Sequence, residues 1–207
     1  MHIAVAGNIG SGKTTLTEIL ASHYGWTPNY ENAEDNPYLN DFYSNMPRWA
    51  FHLQIQFLHS GLSRILKIQQ SGQNIVQDRT IYEVGYIFTR NLYEMGVLSE
   101  REYKGYIELF ELTTSLVKPP DLIIYLRAKV STLLNQIHRR GRAYEQGISI
   151  DYLSKLNQKY DSWASQYTRG KILIIDIDNL DLPNSMADRQ YVLDIIDNNL
   201  YNTQLLK

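Results

Sequence analysis

The chain has 207 residues, a length that suits one domain with a core of its own. It holds no cysteine, which excludes disulfides and thiolate metal sites and fits a reducing, cytoplasmic setting. Twenty Lys and Arg against twenty-two Asp and Glu leave a net charge of −2, which argues against nucleic acid as the partner but allows a local basic pocket.

Apolar runs such as Leu122–Leu126 fall far short of the ~20 residues of a membrane span, so no membrane is expected. The N-terminal run has no basic flank and leads straight into glycines, so it reads as a strand rather than a signal peptide. That strand, His2–Ala6, ends in the loop Gly7–Gly12, and a helix over Lys13–Tyr24 stops at Gly25. Thr27–Tyr30 is a weak strand that Pro28 confines to an edge. Phe51, Ile55, Leu58, Leu62, Ile65 and Leu66 keep a three-four spacing, which predicts a long amphipathic helix over Arg48–Gln70. Asn74–Gln77 reads as a buried strand ending at Asp78-Arg79. Helices are expected over Tyr82–Glu94 and Ser99–Val117, the second opened by a Ser99–Glu102 capping box. Pro119-Pro120 resets the chain for the strand Asp121–Leu126. A helix over Ser131–Arg140, a polar loop Gly141–Gly147 and a helix over Asp151–Gln166 follow. Lys171–Asp176 is the fifth strand, Asn179–Asp188 a polar linker and Gln190–Leu206 a closing helix. The alternation predicts one α/β domain, a five-stranded parallel sheet with helices on both faces.

Gly7-Asn8-Ile9-Gly10-Ser11-Gly12-Lys13-Thr14 fits G-x-x-x-x-G-K-[ST] between a strand and a helix. Its glycines let backbone N–H groups converge on phosphate oxygens, and the helix adds the positive end of its dipole. Lys13 is expected on the β and γ phosphates and the Thr14 hydroxyl on Mg²⁺. Neither N-K-x-D nor D-x-x-G occurs, which removes a guanine-nucleotide switch and leaves small-molecule kinases as the natural class at this length.

Ligands of a doubly wound sheet lie outside the carboxyl ends of its strands. There strand two offers Glu31 and strand three Asp78-Arg79. Glu31 is placed to take the proton of a hydroxyl acceptor, Asp78 to hold the Mg²⁺ shell, and Arg79 to orient Glu31 or neutralise developing charge. Arg139-Arg140-Gly141-Arg142 reads as a mobile lid over about 139–147, hinged at Gly141 and Gly147. On the long helix Gln54 can read a base edge, whereas His52 and His59 lack the company of a metal site.

Together these residues resemble the phosphate-loop deoxynucleoside kinases, in particular the bacterial deoxyadenosine/deoxyguanosine kinase branch. The resemblance rests on Gly7–Thr15, Glu31 with Asp35-Asn36-Pro37-Tyr38-Leu39, Pro47-Arg48-Trp49 through Gln54, Asp78–Tyr82, Tyr86–Phe88, Asn91–Glu94 and Arg140-Gly141-Arg142 with Glu145-Gln146-Gly147, in family order. It implies a P-loop kinase fold with an arginine-bearing lid, ATP and Mg²⁺ as cofactors, a deoxynucleoside as substrate and a homodimer formed through the long helices. It extends the phosphate cradle to Thr15 and makes Glu31 the general base on the 5′-hydroxyl with Arg79 beside it. Gln54 bonds the base and Phe88 stacks on it, Tyr43 and Glu145 hold the 3′-hydroxyl, and Arg140 and Arg142 meet the donor phosphates.

Four positions depart from the family pattern. Asn32 follows Glu31 where many relatives have proline, and Val84 stands where many have an aspartate in the base pocket. Gln136 replaces a lid arginine of some relatives, and Tyr144 an acid of animal ones. The reading is phosphorylation of a deoxynucleoside 5′-hydroxyl, a purine first, with pyrimidine or broad specificity kept open by Val84. A nucleoside monophosphate kinase of the thymidylate kinase type is disfavoured by the acidic stretch Glu31–Asp35, which would repel a phosphorylated acceptor. A nucleotide-binding regulatory protein would have no use for Glu31 or Glu145.

Overall fold

Strand β1 (His2–Gly7) alternates its side chains between two cores, and the rest of the molecule is arranged around that alternation. The computed structural model describes residues 1–31, 33–142, 145 and 148–201. After β1 come α1 (Lys13–Tyr24), β2 (Thr27–Asn29), a 3-10 turn at Ala33–Asp35, α2 (Leu39–Ser44), α3 (Met46–Ser71) and β3 (Ile75–Asp78). Next are α4 (Ile81–Glu83), a π-helical segment Val84–Thr89, α5 (Arg90–Glu94) and α6 (Glu100–Ser115). β4 (Leu122–Arg127), α7 (Val130–Arg140), α8 (Ile150–Gln166), β5 (Ile172–Asp176) and α9 (Met186–Tyr201) complete the chain.

All five strands are parallel, in the order β2-β3-β1-β4-β5. The order reverses between β3 and β4, on either side of β1, so the loop after β1 opens at the switch point where such sheets bind ligands. Ile3 and Val5 of β1, with Ile124 and Leu126 of β4, face a core closed by α1, α7 and α9 through Leu16, Leu20, Leu133, Val192 and Ile196. Ala4 and Ala6 face the other way, where Tyr125, Tyr160, Tyr106 and Phe110 fill the space such small residues leave. Each fully buried Leu, Ile or Phe side chain here contributes about 1.5–3 kcal/mol. A third cluster, including Leu39, Phe42, Leu53 and Leu92, packs α2 against α3.

β2 is the expected edge strand, paired only with β3 and carrying Pro28 where the ladder tolerates it. The Ser99–Glu102 capping box is present, with Ser99 N–H donating to Glu102 Oε2 at 2.8 Å. Several elements differ from the sequence reading. α9 begins at Met186, inside the expected linker Asn179–Asp188, where Ser185 Oγ accepts from the Asp188 N–H at 3.2 Å. α3 starts at Met46, capped by Asn45, because Pro47 sits in the first turn where no N–H is needed. α2, only six residues long, falls in a stretch to which the sequence reading assigns no element. The helix expected over Tyr82–Glu94 is broken by a π segment, inside which the Thr89 hydroxyl meets the Val84 carbonyl at 2.8 Å. Asn32, Ala143, Tyr144, Gln146 and Gly147, including the second lid hinge and two of the family departures, lie outside the described residues, as do 202–207.

Gly85 of the π segment lies beneath the ring of Phe110, a fully buried residue of α6. A Cβ there would sit 2.7 Å from three ring carbons. Gly85→Ala should therefore cost ~1–3 kcal/mol by overpacking. The expected result is a lower urea midpoint with unchanged m-value, and an unshifted midpoint would show that the ring yields freely.

Candidate active site

The loop after β1 takes the shape its glycines allow. Gly10 has φ +83°, and an added Cβ would stand 2.7 Å from the Leu133 carbonyl oxygen of α7. Lys13 folds back and donates from Nζ to the Gly7 and Asn8 carbonyls, both at 2.9 Å. Burial lowers its pKa to about 8, with the Arg79 charge as the second cause. Asn8 accepts the loop's Ile9 N–H on Oδ1 at 2.8 Å and donates from Nδ2 to the Leu153 carbonyl and to Asn157 Oδ1 at 3.1 Å each, which ties the loop to α8.

The carboxyl ends of β2 and β3 bring Glu31, Asp78 and Arg79 beside this loop. Arg79 has φ +64°, the one non-glycine described residue in the left-handed region, a conformation that costs of order 1 kcal/mol or more. Hydrogen bonds from Arg79 N–H to the Val5 carbonyl and from Gln77 Nε2 to the Arg79 carbonyl, 2.9 and 2.8 Å, hold the peptide in it. The side chain then reaches Glu31, with Nε 2.5 Å from Oε2, while its guanidinium lies 4.8 Å from the Phe88 ring centroid. Burial is the largest single influence and works against the Arg79 charge, but Glu31, Tyr160, Glu83 and Asp78 together outweigh it and the pKa ends above the ordinary guanidinium value. Arg64 adds a second cation, 3.5 Å from Glu31 Oε1, and donates to the Asp78 carbonyl at 3.1 Å. Thr14 Oγ1 donates to Asp78 Oδ2 at 2.6 Å, so the two expected Mg²⁺ ligands already touch.

Behind them lies Glu83, fully buried. It accepts from Gly7 N–H at 3.2 Å, Thr80 N–H at 2.6 Å and Tyr160 Oη at 2.7 Å. Burial raises its pKa, opposed by Arg79, Lys13 and the Thr80 and Tyr160 hydrogen bonds.

One cavity of about 990 Å³ collects the predicted residues from Ile9 to Thr15 together with Glu31, Tyr43, Gln54, Asp78, Arg79, Val84, Phe88, Arg140, Arg142 and Glu145. Gly7 and Asn8 are behind its wall. Gln54 and Val84 are buried alongside Leu53, Phe57 and Phe88 in an otherwise apolar part of the lining. Glu145 is paired with Arg140, whose Nε lies 3.1 Å from Oε2, and with Arg142 at 3.8 Å, so the expected sugar ligand and lid arginines form one charge cluster. The sequence reading missed Arg64 and the stretch Asp178–Pro183 after β5, which also lines the cavity. The strand-end rule, applied to β5 as to β2 and β3, would have found the second.

A phosphate loop at the switch point of a five-stranded parallel sheet defines a phosphate-loop kinase fold. The sequence model described as dNK, deoxynucleoside kinase, matches residues 3–201. The chain is 36% identical to the deoxyadenosine/deoxycytidine kinase of Bacillus subtilis over 98% of its own length and 94% of the relative's. It is also 36% identical to the deoxyadenosine kinase of Lactobacillus acidophilus, covering 96% of this chain and 95% of that one. A solved structure of deoxyadenosine kinase from M. mycoides, bound to dCMP and dCDP, superimposes with a TM-score of 0.84 at 26% identity, covering 95% and 99% of the two chains. This chain belongs to the deoxynucleoside kinase family. Among the described residues no helix is long and apolar enough to cross a membrane.

The lowered pKa of Lys13 carries a consequence for nucleotide binding. Below pH 8 the free site holds the charged ammonium that phosphates favour. Above pH 8 binding must first take up a proton, so nucleotide affinity should fall by up to about tenfold per pH unit. Calorimetric titration with a nucleotide between pH 7 and 9.5 measures this, and a flat Kd would remove Lys13 from phosphate binding.

Proposed function

We propose that this protein transfers the γ-phosphoryl group of ATP to the 5′-hydroxyl of a purine deoxynucleoside, deoxyadenosine first and deoxyguanosine next. The observation that carries the reading is the carboxylate of Glu31, held by Arg79 at 2.5 Å at the sheet end beside the phosphate loop. The two guanidiniums fix its orientation, and its remaining lone pairs suit the proton of an attacking hydroxyl. Lys13, released from the loop carbonyls, serves the β and γ phosphates, and Arg140 and Arg142 the charge that develops on the transferred group. Glu145 and Tyr43 hold the sugar, Gln54 bonds the base, and the apolar lining by Val84 and Phe88 receives its ring.

Thr14 and Asp78 offer a hydroxyl and a carboxylate, the hard oxygen pair that suits Mg²⁺ together with phosphate oxygens. Bound there, the ion would neutralise phosphate charge. We read the whole chain as one kinase domain and assign it to the cytoplasm. We also assign it a homodimer through α3 and α6, where Leu109 and Leu112 of α6 and Leu116 just after it are exposed at helical spacing, as is Leu66 of α3. Leu112→Glu should convert a dimer to a monomer by sedimentation, and an unchanged mass would remove this face.

The activity test is coupled ADP release with Mg·ATP and dA, dG, dC, dT and their 5′-monophosphates. Turnover of dA above the other three is expected. Turnover confined to a pyrimidine would overturn the substrate, and turnover confined to a monophosphate would overturn the acceptor. Glu31→Gln should lower kcat by ~10²–10⁴. A variant within a factor of ten of the parent would take Glu31 out of proton transfer.

A further inference from the structure

The polar side chain placed at the base is Gln54, and what holds it is Thr89. Thr89 is fully buried and stands outside the cavity lining, so it meets the Gln54 amide from behind. Its Oγ1 lies 3.1 Å from the amide, at the position of Oε1, and 2.8 Å from the Val84 carbonyl oxygen. A threonine hydroxyl has one proton to give. Two oxygens 2.8 Å apart need a proton between them, and the Val84 carbonyl can only accept, so the proton goes there. Toward Gln54 the hydroxyl then shows only lone pairs. A carbonyl oxygen at that position would face them unpaired, whereas a half-turn of the amide presents Nε2–H₂ at almost no change of shape.

We propose that Thr89 is a specificity-determining residue: it fixes the Gln54 amide with Nε2 on Thr89 and Oε1 toward the base. This rests on the deoxynucleoside kinase reading and deepens it. With Oε1 outward and the second Nε2 proton beside it, the pocket offers an acceptor next to a donor. Adenine answers with its 6-amino group and an adjacent ring nitrogen. A 6-oxo purine at the same position sets a carbonyl against Oε1, and Thr89 prevents the half-turn that would relieve it. The π segment supplies this arrangement, because it brings the residue 89 side chain onto the carbonyl five residues earlier. The pocket therefore selects 6-amino over 6-oxo purines through a residue that never touches them.

The test is kcat/KM for deoxyadenosine and deoxyinosine, which exchange the 6-amino for a 6-oxo group, in the parent, Thr89→Val and Thr89→Ser. The parent should prefer deoxyadenosine by about tenfold to a hundredfold. Thr89→Val frees the amide and should shrink that preference about tenfold, chiefly through KM, and Thr89→Ser should restore it. A purely structural Thr89 would lower both substrates together and leave the ratio unmoved, which overturns the proposal. So does a parent that prefers deoxyinosine. In the unmutated protein, cross-relaxation between the Gln54 amide protons and the Thr89 side chain is expected even if the valine variant does not fold, and its absence counts against the assignment. Failure to phosphorylate any deoxynucleoside removes the kinase reading itself, and this inference with it.

Discussion

The buried carboxylate of Glu83 is the interaction on which the geometry of the site depends. It closes a capping box on Thr80, accepts the N–H of the first loop glycine and receives the hydroxyl of Tyr160 from α8. The donor loop, the turn that presents Arg79 and the wall formed by α8 are thereby fastened to one group. A carboxylate with no exposure is costly unless its lone pairs are filled, and here the partners come from three separate elements. Removing any one of them would leave a buried acceptor short of a donor, so the three elements hold their relative positions together.

Around that anchor the chain accepts local strain to aim a side chain. Arg79 adopts a backbone conformation that a glycine would enter freely, and two hydrogen bonds keep it there. A glycine would have no guanidinium to lay against Glu31 and Phe88, and that is what the strain obtains. Arg64 arrives from α3 with no strain and meets the same carboxylate from its other oxygen. The Glu31 carboxylate is thus oriented from two directions before any ligand arrives.

Much of this was legible in the sequence because strand ends are. The runs before Gly7 and Asp78 are short and largely apolar, the weaker run before Glu31 carries the proline of an edge strand, and the residues that follow all three fall at the edge where a parallel sheet binds ligands. The glycine spacing names the phosphate loop outright. Arg64 was not legible, since a single cation beside Leu62 and Ile65 looks like a solvated position until the path of a 26-residue helix is known. The π segment was equally hidden, because Val84, Ile87 and Leu92 suit an ordinary helical face as well as one with a wider turn. Glu83 was half-visible: Thr80 followed by Glu83 is a capping box, but nothing in the sequence says that its carboxylate is wholly buried. The family resemblance supplied what spacing could not, the pairing of distant Tyr43 and Glu145 around one cavity.

The sheet has two unlike margins. On one side β2 is three residues long and carries a proline, so it offers little to an incoming strand. On the other, β5 presents Ile172-Leu173-Ile174-Ile175, with Ile174 40% exposed and only Lys171 and Asp176 as flanking charges. If heated or concentrated, molecules of this chain have one side from which cross-strand growth can begin and one from which it is refused. Its colloidal behaviour is governed by that margin, and the two charges beside it act as gatekeepers for the solubility of the whole protein.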